Sequence, residues 1–322
     1  MSFGTYVAHS MAKSMTKHDA VRKAKEVLPQ DVDVEEFSYV QDGHEMHKLN
    51  VYRPKNAKGV LPLIVDVHGG AWIYGDKELN KNYCMHLARR GYCVAGMSYR
   101  LLPEVTLKEQ VEDVFAALGY IADRAAEWGA DTSAVMLTGD SAGGHLSSLA
   151  LCVCLDPALA RLYEVTPPAL EFSCLVMSHP VCEVHSILRN KKDEPLRGMR
   201  AFQNMCDKLM FGADPKSNKL FDHAAFSQYS AAVRLPYVMI IGCERDVYVR
   251  HSRFLSRLLG QMQAEGRCEK FVFDWTDKKT EQNKLCHVYD IAYPDLPDGR
   301  RACAAATAFF EESRKAAGKA RE

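Results

Sequence analysis

Residues 135–145 read VMLTGDSAGGH, an apolar run that ends at Gly139 and gives way to small residues around Ser141 before a helical pattern begins. A strand that feeds a helix through so tight a turn is typical of a nucleophile elbow, which needs small neighbours and holds its serine in a strained backbone conformation. Unsatisfied N–H groups at the helix start favour negative charge beside the hydroxyl. We therefore predict that Ser141 is exposed at the tip of the turn and reactive. The alternative is an ordinary turn in which Ser141 caps the helix.

Short apolar runs alternate with helical patterns on both sides of this turn. The predicted strands are LNVY, PLIVDVH, YCVAGMSY, AVMLTG, FSCLVMSH, YVMIIG and KFVFDW, which start at residues 49, 62, 92, 134, 172, 237 and 270. Helical patterns cover about 81–90, 107–128, 142–155, 251–263 and 300–315. Strands that are apolar on both faces need helices on both sides. The sequence therefore predicts an α/β fold, with a mostly parallel sheet sandwiched by helices.

Two segments fall outside this alternation. Residues 1–40 form a polar, partly helical stretch ahead of the first predicted strand, and residues 181–235 are an insertion of about 55 residues between two strands. Loops in α/β units are usually only a few residues long, and long insertions at the carboxyl ends of strands often line ligand pockets. We expect one domain over 41–322, with 1–40 and the insertion as cap segments.

Composition excludes several classes of function. The 322 residues include 41 basic and 41 acidic ones, and this balance gives no sign of a nucleic-acid partner. No apolar run has the ~18 residues of a membrane span, and the N-terminus lacks a signal-peptide core. We expect a soluble, cytoplasmic protein with a small-molecule partner, either a monomer or a homodimer.

Cysteine and histidine patterns do not predict a metal site. The eleven cysteines are scattered and read as reduced core residues. His44 and His47 have the spacing of two ligands, but a third is missing, so we interpret them as solvated loop histidines. No metal and no cofactor are expected.

A reactive serine needs a histidine to accept its proton and a carboxylate to orient that histidine. Asp246 ends the sequence GCERD after the strand at 237–242, and His287 lies in LCHVYD just ahead of the last helix. Serine, then aspartate, then histidine is the chain order of the α/β-hydrolase arrangement. Glu244 is a rival acid, but it lies closer to the strand end, so we favour Asp246.

Attack on a carbonyl also needs donors for the oxyanion that forms. Residues 68–72 read HGGAW and follow a predicted strand directly. Their small side chains allow the backbone N–H groups of Gly69, Gly70 or Ala71 to approach a bound oxygen, and the N–H of Ala142, after the serine, adds another. A tight turn with no such role is the alternative for this motif alone.

Three motifs together resemble the hormone-sensitive-lipase-like branch of the α/β-hydrolase esterases: HGGAW at 68–72, SYRLLPE at 98–104 and GDSAGGHL at 139–146. The similarity extends over about 45–315. The SAGGHL stretch and the H-G-G-x-W pattern also resemble kynurenine formamidases and their esterase relatives.

The resemblance implies roles for individual residues. Ser141 would be the nucleophile, His287 the general base and Asp246 its orienting acid, with the N–H groups named above as the oxyanion hole. Tyr99 and Arg100 would buttress the loops around the site.

The chain departs from the family pattern at three places. Ala71 replaces the third glycine of the oxyanion loop, and Asp246 is followed by Val-Tyr instead of Pro-Leu. The long interval between Asp246 and His287 is explained by a polar surface insertion at 274–284.

The function predicted on these grounds is hydrolysis of carboxylic esters of short to medium acyl chain through an acyl-enzyme. One alternative is an amidase of the kynurenine formamidase type. A second is a non-catalytic binding protein like the plant hormone receptors of this fold, which a histidine too far from Ser141 would favour.

Overall fold

The computed structural model describes residues 3–185, 197–277 and 285–319. Within these ranges eight strands form one sheet in the order β1-β2-β4-β3-β5-β6-β7-β8. The strands are β1 (Val32–Ser38), β2 (Lys48–Pro54), β3 (Leu61–Val67), β4 (Cys93–Met97), β5 (Ala130–Asp140), β6 (Phe172–Ser178), β7 (Leu235–Cys243) and β8 (Cys268–Thr276). β2 pairs antiparallel with both β1 and β4. The six strands β4, β3, β5, β6, β7 and β8 pair parallel with one another.

Helices cover both faces of the sheet. They are α1 (Phe3–Lys23), α2 (Lys81–Ala88), α3 (Leu107–Arg124), α4 (Ala142–Leu155), α5 (Pro157–Tyr163), α6 (Arg197–Phe211), α7 (Phe226–Tyr229), α8 (Val249–Ala264), α9 (Tyr289–Ala292) and α10 (Pro297–Lys319). One apolar cluster joins the sheet to α3, α4 and α8, and a second joins its other face to α2 and α10. The predicted α/β sandwich, with its seven strands and five helices, is confirmed.

The sequence missed β1. This strand carries three acidic residues in VDVEEFS, and only Val32 among its side chains is fully buried. A charged strand at a sheet edge lacks the apolar run by which the interior strands were found, and such charges protect edges from pairing with other chains.

The predicted insertion at 181–235 contains α6, α7 and two short 3₁₀ helices, Pro215–Ser217 and Phe221–His223. Residues 186–196 of this insertion, and 278–284 of the predicted surface insertion, lie outside the described residues. No single described helix has the length and apolar character needed to cross a membrane, although the bent pair of α4 and α5 meets both criteria together.

Candidate active site

The turn between β5 and α4 has the strained conformation that its small residues predict. Ser141 has φ 50° and ψ −113°, in a region that residues with a Cβ atom rarely adopt. A Cβ atom on Gly143 would lie 2.0 Å from the carbonyl oxygen of Val67, so only glycine permits this approach of α4 to β3. The Ser141 N–H donates to the Ser178 oxygen at 2.9 Å, which ties the turn to β6.

Ser141, His287 and Asp246 form one hydrogen-bonded chain. His287 Nε2 lies 2.9 Å from Ser141 Oγ, and its Nδ1 lies 2.8 Å from Asp246 Oδ1. The Tyr248 N–H also donates to that carboxylate oxygen, at 2.8 Å. Glu244, the rival acid, instead forms an ion pair with Arg253 at 2.6 Å. The structure thus brings together the serine, the histidine and the aspartate that the sequence predicted, from three separate loops.

The BD-FAE family model matches residues 49–260 of this chain, which include the strained serine and the acid. This chain belongs to the BD-FAE family. Esterase B from Lactobacillus rhamnosis has the same fold over 99% of both chains, with 30% identity and a TM-score of 0.90. One structure of that enzyme is of a form inhibited by a C4-C4 SN3 tributyrin phosphonate. The predicted kinship with α/β-hydrolase esterases is confirmed.

Curated relatives of this BD-FAE chain match shorter segments. A probable isoprenylcysteine alpha-carbonyl methylesterase from Arabidopsis thaliana is 36% identical over 114 residues, 35% of this chain and 27% of the relative. A carboxylesterase from Mycobacterium tuberculosis is 34% identical over 125 residues, 38% of this chain and 39% of the relative. The chain therefore spans well under half the length of these curated relatives.

The loop after β3 faces the serine and corrects one expectation. The Gly69 N–H donates to Asp140 Oδ1 at 2.8 Å, so it is not available to a bound oxygen. In the described parts of the chain no hydrogen bond occupies the N–H groups of Gly70, Ala71 or Ala142. Gly70 has φ 108°, and a Cβ atom there would lie 1.9 Å from the Tyr74 oxygen, so this backbone needs glycine.

Tyr99 and Arg100 of the SYRLLPE motif make structural contacts near this loop. The Tyr99 hydroxyl donates to the His68 oxygen at 2.8 Å, and the two rings stack with centroids 4.4 Å apart. Arg100 pairs with Asp113 of α3 at 2.7 Å. These are structural contacts, in line with the role that the resemblance implied for Tyr99 and Arg100.

Sequence reasoning missed Asn80, which sits just ahead of α2. Its Nδ2 donates to Asp140 Oδ1 at 2.8 Å and to Asp66 Oδ2 at 3.0 Å. Burial, and then the charge of Asp140, raises the pKa of Asp66 to about 8, and burial raises the pKa of Asp140. Asn80 therefore bridges two buried carboxyl groups behind the elbow, and no motif in the sequence marks it.

The pKa of Asp246 is shifted in the opposite direction. Burial raises its pKa, but the hydrogen bond to His287, the charges of His287 and His179 and the Tyr248 N–H lower it by more. The net pKa lies below its ordinary value. An ionised acid is what a base needs when it accepts a proton from serine.

A cavity of about 170 Å³ opens beside Ser141. Its walls are mostly apolar, and α1 supplies Met15, Asp19 and Arg22 to one side. Ser141 is only 9% exposed, which corrects the expectation that it stands open to solvent. The N-terminal helix covers the site instead, and Arg22 links it to the end of α9 through the Ala292 oxygen at 3.2 Å.

The structure also corrects the interpretation of His47 as a solvated histidine. His47 is 6% exposed, and its ring lies between Asp42, at 2.7 Å, and Asp113 of α3, at 3.2 Å. His44 is exposed as expected. The described residues contain no group of three or more His, Cys, Asp or Glu side chains placed to hold a metal ion.

Proposed function

We propose that this chain is a serine carboxylesterase that works through an acyl-enzyme. The observation that carries the proposal is the hydrogen-bonded chain from Ser141 through His287 to Asp246, beside a strained turn at the wall of a cavity. His287 takes the proton from Ser141 as Oγ attacks the ester carbonyl, and Asp246 stabilises the imidazolium that forms. The N–H groups of Ala142 with Gly70 or Ala71 receive the oxyanion, and each aimed donor is worth about 3 kcal/mol.

The first half of the reaction ends when His287 gives its proton to the leaving alcohol, which departs and leaves the acyl group on Ser141. In the second half, water enters, loses a proton to His287 and attacks the acyl carbonyl. As this second tetrahedral intermediate collapses, His287 returns the proton to Ser141 Oγ and the carboxylic acid leaves. The step needs no metal or organic cofactor.

Small-molecule esters of short to medium acyl chain fit this site best. The cavity is small and mostly apolar, and the full-length structural relative esterase B is inhibited by a tributyrin phosphonate. We include residues 1–40 and 181–235 in the proposal as cap segments, because Met15 and Val181 both line the cavity. The eleven unpaired cysteines support a reducing compartment such as the cytoplasm.

The proposal is tested with p-nitrophenyl butyrate and an organophosphonate. Ser141→Ala should abolish labelling and lower kcat by about 10⁴-fold or more, and Asp246→Asn should lower kcat by about 10⁴-fold. Glu244→Gln is the matched control, since Glu244 pairs with Arg253 instead. Unchanged hydrolysis in Ser141→Ala would refute the mechanism, and a rate maximum at laurate rather than acetate or butyrate would refute the acyl-chain preference.

A further inference from the structure

A second buried histidine–aspartate pair lies directly behind the catalytic one. His179 follows β6, Asp290 lies in α9, and both are fully buried. Nδ1 of His179 is 3.5 Å from Asp290 Oδ1. The Ser178 hydroxyl donates to that same oxygen at 2.6 Å and lies 2.9 Å from the His179 ring nitrogen. None of these three groups takes part in the reaction proposed above.

This pair joins the segments that carry the catalytic residues. Asp290 is three residues after His287, so its bonds to the end of β6 fix the start of α9 and the loop before it. The His179 N–H donates to the Ile241 oxygen at 2.8 Å, in the strand that leads to Asp246. The His179 and His287 rings lie 5.8 Å apart, nearly perpendicular.

Several charges meet around His179. Burial lowers its pKa, but the neighbouring Asp290 and Cys243 side chains and the charges of Asp290 and Asp246 raise that pKa to about 10. The Tyr289 ring covers another side, with centroids 5.4 Å apart. A protonated His179 therefore faces Asp290 on one side and the Asp246–His287 pair on the other. Its charge in turn helps to lower the pKa of Asp246.

We propose that His179 and Asp290 are a positioning pair that fixes the His287 loop and balances the charge behind Asp246. The inference rests on the proposed esterase function. A positive charge at His179 disfavours protonation of His287, and a negative charge at Asp290 favours it. Removing one of these two charges and leaving the other should therefore shift the acid side of the pH profile of the reaction.

The test is the pH profile of kcat/KM for p-nitrophenyl butyrate in His179→Asn, Asp290→Asn and the double variant. Asparagine tolerates the positive φ of 47° at position 179. His179→Asn leaves the Asp290 charge unbalanced. The acid limb, the part of the profile in which kcat/KM falls as the pH is lowered, should then move up by about 1 pH unit. Asp290→Asn should move the limb down or leave it in place, and the double variant should return it to the wild-type position.

A purely structural role predicts a different pattern, in which all three variants lose stability and kcat with no opposed shifts. An unchanged acid limb in His179→Asn, or an upward shift in Asp290→Asn, would overturn the inference. His47→Asn is the matched control, because it removes another buried histidine paired with aspartates, and neither His47 nor those aspartates line the cavity. It should lower stability without moving the acid limb.

A second readout separates this inference from the esterase proposal. The readout is the NMR signal of the proton between His287 Nδ1 and Asp246 Oδ1, followed as a function of pH, which needs no turnover. If wild type neither hydrolyses esters nor labels at Ser141, the esterase proposal fails. The positioning pair is then judged on whether His179→Asn moves this titration up by about 1 pH unit, and an unmoved titration refutes it.

Discussion

Asp140→Ala tests whether the elbow and the oxyanion loop are one unit. Asp140 Oδ1 accepts the Gly69 N–H and the Asn80 Nδ2, both at 2.8 Å. Alanine leaves the Gly69 N–H and one of the two N–H groups of Asn80 Nδ2 without an acceptor, while the other still donates to Asp66. Each stranded N–H costs about 1–3 kcal/mol. Relief of the repulsion between Asp140 and Asp66 offsets part of this cost, so we expect the free energy of unfolding to fall by about 2–4 kcal/mol.

The same substitution should reduce activity beyond its effect on stability. Without the Gly69 anchor, the N–H groups of Gly70 and Ala71 lose their fixed direction, and loss of one aimed donor lowers kcat by about 10²–10³-fold. Asp140→Asn is the matched control, since its amide oxygen can still accept both bonds while the charge is gone. It should keep kcat within about ten-fold of wild type.

Urea unfolding followed by tryptophan fluorescence measures the stability, and kcat at pH 7 measures the activity of the folded fraction. The reasoning fails if Asp140→Ala unfolds within about 1 kcal/mol of wild type and keeps wild-type kcat. It also fails if Asp140→Asn is as impaired as Asp140→Ala, because the charge rather than the geometry of the acceptor would then matter.

Three further substitutions, one of them with a control, probe the residues that support the site. Because the pKa of Asp66 is raised to about 8, the folded state keeps a proton that the unfolded state releases above about pH 4. The free energy of unfolding should therefore fall as the pH rises between these values. Asp66→Asn should remove this pH dependence, which urea titrations at pH 5 and pH 8 would measure. Gly143→Ala should lower the free energy of unfolding by about 3 kcal/mol or more because of its backbone clash. Gly119→Ala, with open space around it, should stabilise α3 by about 0.5–1 kcal/mol. Melting temperatures equal to that of wild type would contradict both expectations. Arg22→Ala removes the link from α1 to the Ala292 oxygen and should raise KM for butyrate esters with little change in kcat, and a lowered kcat at unchanged KM would argue against α1 as a pocket wall.

The tight turn at Ser141 was predictable because its requirements are local. Small residues around Ser141 follow a buried strand, and close approach to Val67 explains why Gly143 cannot carry a side chain. The order of Asp246 and His287 after the serine gave their loops, because parallel strands end at one edge of the sheet. Their hydrogen bonds depend on the positions of three loops. The sequence could therefore predict which residues are candidates, but not the distances between them.

What the sequence missed depends on partners far along the chain. The choice between the N–H groups of Gly69 and Gly70 is made by Asp140, 71 residues after Gly69. Ser141 is covered because α1 packs over it, and a polar helical pattern does not say where a helix packs. His47 is buried by Asp113 from α3, 66 residues later.

Charge state is the deepest of these long-range properties. Asp66 and Asp246 are the same residue type and are 1% and 4% exposed, so burial alone raises the pKa of both. Asp66 faces another carboxyl group, Asp140, which adds to the effect, whereas Asp246 faces His287 and His179, which reverse it. A motif can therefore identify a candidate acid. The neighbours that the fold places around that residue decide whether it is ionised and can stabilise an imidazolium.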